Sequence, residues 1–130
     1  MFALDTNTLI DYFKGTGRVA EHLLATPPRE IAIPSVVLYE MEYGLAKSSQ
    51  PVQRRKAFDA LLELVQVLPF DQTSAKAAAN IRIHVEQAGT SIGPLDTLIA
   101  GIAQAHGATL VTHNTQEFSR VPHLPIIDWY

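Results

Sequence analysis

Phe2-Ala3-Leu4-Asp5-Thr6-Asn7-Thr8-Leu9-Ile10 decides the architecture. A three-residue apolar run ends on a carboxylate, and Thr6-Asn7, good helix-capping types, stand before Leu9, Ile10 and Phe13. A strand therefore feeds a helix, and the same grammar recurs along the chain. Ile31-Ala32-Ile33 is a compact buried strand, Pro34-Ser35 marks a turn and cap, and Val36 to Ala46 resumes a helical pattern. Between these two units, Val19, Leu23 and Leu24 have helical spacing that stops at Pro27-Pro28.

The second half repeats the pattern. From Pro51 to Val65, the apolar residues Ala57, Leu61, Leu62 and Val65 recur at three- and four-residue steps, an amphipathic helix. Val67 to Phe70 reads as a short strand, and Thr73 to Ala88 as an alanine-rich helix ended by Gly89. Gly93-Pro94 opens a helix from Leu95 to His106, closed by Gly107. Thr109 to Thr112 is β-branched and short enough for an interior strand. Val121 to Ile127, broken by Pro122 and Pro125, offers only an edge strand.

Short apolar strands alternating with helices imply an α/β fold, with a small parallel sheet of about five strands covered by helices on both faces, because each parallel crossover needs a helix-length connection. The 130 residues suit a single domain, 1–130. In such sheets chemistry collects at the carboxyl ends of the strands, beside a topological switch point.

Composition narrows the function classes. The chain is 47% hydrophobic and 18% charged, ordinary for a globular protein, and nothing approaches the roughly 18 unbroken apolar residues of a membrane span. Met1 to Asp5 lack the basic and apolar regions of an export signal, so a cytoplasmic location is expected. With no cysteine there is no disulfide framework, zinc ribbon or thiol nucleophile. The five histidines show no paired ligand spacing, which disfavours zinc. A net charge of −3 argues against coating nucleic acid by bulk electrostatics, but bound cations would reverse the local field at clustered acids.

The acids are suggestively placed. Asp5 ends the first strand, Glu40 and Glu42 lie in the helix after the second, Asp96 falls in the first turn of the helix from Pro94, and Asn114 and Glu117 follow the Val111-Thr112 strand end. Gathered around one hole, such oxygens are the hard-ligand environment preferred by Mg²⁺ or Mn²⁺, at about 2.0–2.1 Å. Each has a plainer reading: Asp5 as a helix cap, Asp96 as a complement to a helix dipole, Asn114 as a turn former. Leu38, Tyr39, Met41, Tyr43 and Leu45 leave little polar face on their helix, so at least one of Glu40 and Glu42 is expected in a functional or paired environment.

Four segments carry a resemblance: Leu4-Asp5-Thr6-Asn7; Ser35-Val36-Val37 leading to Glu40 and Tyr43-Gly44; Ile92-Gly93-Pro94-Leu95-Asp96 with Ile99-Ala100; and Val111-Thr112-His113-Asn114-Thr115 with Glu117-Phe118. Taken together over essentially the whole chain, they resemble the PIN-domain toxin ribonucleases of the VapC type, from VapBC toxin–antitoxin modules. The resemblance implies a PIN-like fold and a metal-dependent endoribonuclease, a hydrolase acting on ester bonds, that cuts tRNA or other structured RNA with a metal-activated water. It implies Asp5, Glu40 and Asp96 as the catalytic and metal-holding acids, and it selects Glu40 over Glu42 by its spacing to Tyr43-Gly44. Mg²⁺ is the implied cofactor, with Mn²⁺ as substitute. Thr6, Asn7 and Thr112 become supporting residues. Many relatives carry aspartate where this chain has Asn114, so Asn114 is expected to orient a water or ligand, with Glu117 as a fourth acid. The resemblance also implies a homodimer and a VapB-type antitoxin that blocks the acidic groove.

Competing readings are weaker. An aspartyl phosphatase would want a second acid two positions after Asp5, where Asn7 stands; a receiver domain would want a lysine after a late strand; and no GxGxxG or GxxxxGK[ST] loop occurs. A catalytically weak PIN domain that binds RNA or protein is the non-enzymatic alternative, kept alive by Asn114. Arg54-Arg55-Lys56 reads as a solvated helix face. Lys14, Arg18 and Lys47 are better candidates to steer phosphates. His113 is expected at the surface, and Trp129 and Tyr130 in a core or dimer contact.

Overall fold

The computed structural model describes residues 1–49 and 51–130. The predicted alternation is present. Strand β1 (Phe2–Leu4) leads into α1 (Thr6–Lys14) and α2 (Val19–Leu24); β2 (Ile31–Pro34) leads into α3 (Ser35–Ala46) and α4 (Pro51–Leu62); β3 (Gln66–Leu68) leads into α5 (Gln72–Gln87) and α6 (Pro94–Ala105); β4 (Thr109–Val111) is followed by α7 (Thr115–Phe118) and β5 (Ile126–Ile127). None of the described helices is long and apolar enough to cross a membrane.

All neighbouring strands pair in parallel, in the order β3-β2-β1-β4-β5. Ala3 and Leu4 are consecutive, so they point to opposite faces of the sheet, and both are fully buried; apolar layers therefore cover β1 on either side. Leu9, Val37, Ile99 and Ile102 bring helix side chains into this core. The outer strands are less covered, with Val67 of β3 and Ile127 of β5 exposed. Helices α5 and α6 approach closely: a methyl group added at Gly101 would stand 2.7 Å from Ala78 Cβ.

The helix ends follow local rules, with instructive shifts. The cap of α1 is Asp5 itself, one residue before the expected pair, its side chain accepting from the Thr8 N–H. Ser35 does not cap α3; its hydroxyl accepts from the Phe70 N–H at 3.1 Å and ties down the chain leaving β3. Helix α4 stops at Leu62 rather than Val65, where the Leu64 and Val65 N–H groups bond the Leu61 carbonyl. Gly107, at φ 66°, lets the Ala108 N–H reach back to the Ala103 carbonyl, which ends α6 and starts β4. The expected lack of a polar face on α3 is corrected: Tyr39 and Tyr43 are 60% and 59% exposed, so the apolar composition of that helix does not mean burial on all sides.

Candidate functional site

Because the chain turns to opposite sides of β1 to build β2 and β4, the switch point of the sheet lies between β1 and β4. Asp5 stands there. Its backbone N–H bonds the Val111 carbonyl at 3.1 Å, and one carboxylate oxygen accepts from the Thr8 N–H at 2.9 Å. The Thr8 hydroxyl closes the loop by donating to the same Val111 carbonyl at 3.0 Å. Asp5 is only 4% exposed, and burial pushes its carboxyl up from the ordinary range, opposed by hydrogen bonds from Thr112 and Thr8. The cap reading and the site reading of Asp5 are thus both available, since a cap uses one oxygen.

Glu40 reaches the same edge from α3, where Thr6 donates its hydroxyl to it at 2.6 Å. Glu42, two residues on, instead pairs with Arg55 of α4, which also holds Asp59. The expectation that at least one of the two is paired is met by Glu42, and Glu40 instead accepts from Thr6.

Asp96 occupies the first turn of α6. Its carboxyl is pushed up to about 6, first by burial and then by the negative charges of Glu117, Asp5 and Glu40. Charge repulsion of that kind requires proximity, so four acids from four separate segments share one field. Glu117 is held from two sides, accepting from the Gly93 N–H at 2.8 Å and from the Asn114 side-chain amide. Gly93 lies beside both acids: a Cβ there would be 3.5 Å from Asp96 Oδ2 and 3.8 Å from Glu117 Oε1. The Asn114 N–H in turn donates to the Thr112 hydroxyl at 3.0 Å.

Some of the sequence-predicted residues are not part of this gathering. Asn7 is exposed in the first turn of α1, and among the described residues it takes no part in the hydrogen bonds given above for the acids. Arg18 pairs with Glu21, and Lys47 lies over the Tyr43 ring at 5.0 Å. Lys14 does line a groove of about 440 Å³ between α1, α3 and α4, with Ile10, Phe13, Met41, Phe58 and Glu40 itself. His113 is at the surface as expected, bonded to Asp128, and Trp129 finishes the core. Sequence reading missed Thr8 and the Gly93 N–H. Thr8 carried a signal, three residues after a capping aspartate; the Gly93 amide carried none, because a backbone donor has no residue type.

The donors are all hard oxygens, suited to Mg²⁺ or Mn²⁺ rather than to a soft metal. As the side chains stand, no three His, Asp or Glu among the described residues are drawn around a single point. Asp96 nevertheless feels the charges of Glu117, Asp5 and Glu40, a repulsion that a divalent cation relieves.

The sequence matches the PIN domain family over residues 2–124. A relative from Salmonella typhimurium, the tRNA(fMet)-specific endonuclease VapC, is 34% identical over 98% of this chain and 97% of its own length. Ribonuclease VapC2 of Rickettsia felis is 39% identical over 76% of this chain and 74% of its own. Among solved structures, VapBC2 from Rickettsia felis bound to a DNA fragment from its promoter superposes with a TM-score of 0.91 at 34% identity, covering 99% of this chain and 98% of that one.

Proposed function

Since the chain belongs to the PIN domain family, and within it to the VapC toxin ribonucleases of toxin–antitoxin modules, we propose that it is a Mg²⁺- or Mn²⁺-dependent endoribonuclease that hydrolyses structured RNA, with tRNA as the substrate class. The observation that carries the metal-dependent reading is the placement of Asp96, half-buried in the first turn of α6, where burial and then the charges of Glu117, Asp5 and Glu40 raise its carboxyl.

Asp5, Glu40 and Asp96 hold the cation, and Glu117 serves as a fourth acid. A bound divalent cation supplies two things: a water acidic enough to attack at neutral pH, and polarisation of the phosphoryl oxygen. The protein supplies orientation. Thr112 and the Thr8 N–H fix Asp5, Thr6 fixes Glu40, and Gly93 with Asn114 fixes Glu117. No side chain needs to act as a covalent nucleophile, and in-line attack leaves 5′-phosphate and 3′-hydroxyl ends.

The Rickettsia felis neighbour is a VapBC2 assembly, and it supports a VapB-type antitoxin as partner. The apolar groove ending at Glu40 offers that partner a seat beside the acids. A homodimer and a cytoplasmic place of work belong to the same reading.

Purified protein incubated with total tRNA should cut it in Mg²⁺ or Mn²⁺ and stop in EDTA. Binding without cleavage under all metal conditions would instead assign a catalytically weak PIN domain that binds RNA or protein.

A further inference from the structure

The groups that orient the acids are themselves held by a layer for which the reaction has no direct use. Between β4 and α7, Thr112 bonds Asp5 and Asn114 bonds Glu117, and His113 lies between them. His113 Nδ1 is 2.9 Å from Asp128 Oδ2, and its ring stacks on Tyr130 with centroids 4.1 Å apart and planes at 17°. The other oxygen of Asp128 accepts from the Tyr130 N–H at 2.9 Å. Tyr130 is tied in turn to the chain between α1 and α2. Its carbonyl accepts from the Arg18 N–H at 2.8 Å, and its ring lies so close to Gly17 that a Cβ there would stand 2.9 Å from it. Gly17 also has φ 62°, so no other residue fits this turn without displacing the ring.

We propose that His113 and Tyr130 are positioning residues: residues 128–130 form a strap that locks the 112–114 loop, and through it the orientation of the Asp5 and Glu117 carboxylates toward a divalent cation. The inference rests on the nuclease reading above. The alternative is a strap that only anchors the chain. Anchoring is already provided by Trp129, which is 4% exposed and packs against Phe2 and His22. Tyr130 is 44% exposed, so its stack contributes little burial, and its effect falls on the loop it covers. Thr112 and Asn114 flank the stacked histidine on either side. Freedom at His113 is therefore transmitted to both acid-holding hydrogen bonds at once.

The test compares wild type, Tyr130→Ala and Tyr130→Phe by hydrogen exchange of the metal-free protein and by calorimetric titration with Mn²⁺. Tyr130→Ala should speed exchange of the Asn114 N–H and its neighbours to residue 117, leave β1 and β4 protected, and weaken Mn²⁺ binding about tenfold, the lower end of what losing an outer-shell partner costs. Tyr130→Phe, which keeps the stack, should match wild type in both. Unchanged exchange in Tyr130→Ala, or faster exchange with unchanged Mn²⁺ affinity, overturns the proposal. If Tyr130→Ala does not fold, Asp128→Asn takes its place in both measurements: faster loop exchange with weaker Mn²⁺ binding is expected, and either of the contrary results overturns the proposal. Wild-type protein that neither binds Mn²⁺ nor cuts RNA refutes the nuclease reading itself, before any variant is compared.

Discussion

Thr6 donates its hydroxyl to the Glu40 carboxylate at 2.6 Å, joining the first turn of α1 to the middle of α3 across 34 positions of sequence. The bond holds Glu40 at the edge where Asp5 ends β1. Thr6→Val removes the donor but keeps the shape, and should lower kcat about tenfold, whereas Thr6→Ser should stay near wild type. Steady-state kinetics at saturating Mg²⁺ checks this, with thermal melts showing both variants folded.

Glu42 makes the contrast. Two positions along a helix turn a side chain to the other side, and there Glu42 meets Arg55. Glu42→Gln should leave the cleavage rate unchanged, while Glu40→Gln abolishes it. Equal loss in both variants would overturn the assignment of Glu40.

Asp5→Asn separates catalysis from folding. Asparagine caps a helix as well as aspartate does, so the bond from the Thr8 N–H survives, and the buried charge is removed. Cleavage should be lost while the melting temperature of the metal-free protein stays equal or rises. A variant that cuts as well as wild type would sink the site.

The pH dependence follows from Asp96. Its carboxyl is raised to about 6 from 3.8, so around pH 5 the folded protein holds a proton that the unfolded chain has released. Metal-free stability is therefore greatest at the acid end of that window and declines as pH rises from about 4 through about 6, the reverse of a salt-bridged aspartate. Asp5, raised by burial, adds in the same direction. Melts in EDTA across this range should show the decline, added Mg²⁺ should stabilise most above pH 6, and cleavage should fall below about 6 as protons compete with the cation.

Gly101 reports on packing alone. A methyl group there would stand 2.7 Å from Ala78 Cβ and 2.9 Å from the Ala78 backbone nitrogen. Gly101→Ala should force α5 and α6 apart and cost about 1–3 kcal/mol in denaturant titrations, without altering activity at temperatures below the transition.

Much of this was legible in the chain because strand and helix patterns are local. Ile31 to Ile33 with the helix that follows, and the glycine stops after α5 and α6, were readable because apolar spacing and capping chemistry act within a few residues. The four-residue helix at Thr115–Phe118 went unread, being too short to show a period. Tyr39 and Tyr43 misled, because composition names apolar residues without saying which face of a helix meets the core.

By itself the sequence determined that an α/β chain would carry Asp5 at a strand end, Glu40 within the helix after the second strand, Asp96 in a first helical turn and Glu117 after a late strand, since strand ends and helix starts are set by neighbouring residues. Only the tertiary structure decided that β1 and β4 lie side by side, that Glu40 rather than Glu42 turns to Thr6, and that the Gly93 N–H and the strap at Asp128–Tyr130 brace the site. Hydrogen bonds and like-charge repulsion act over a few ångströms, and those distances come into being between residues far apart in sequence only once the sheet has formed.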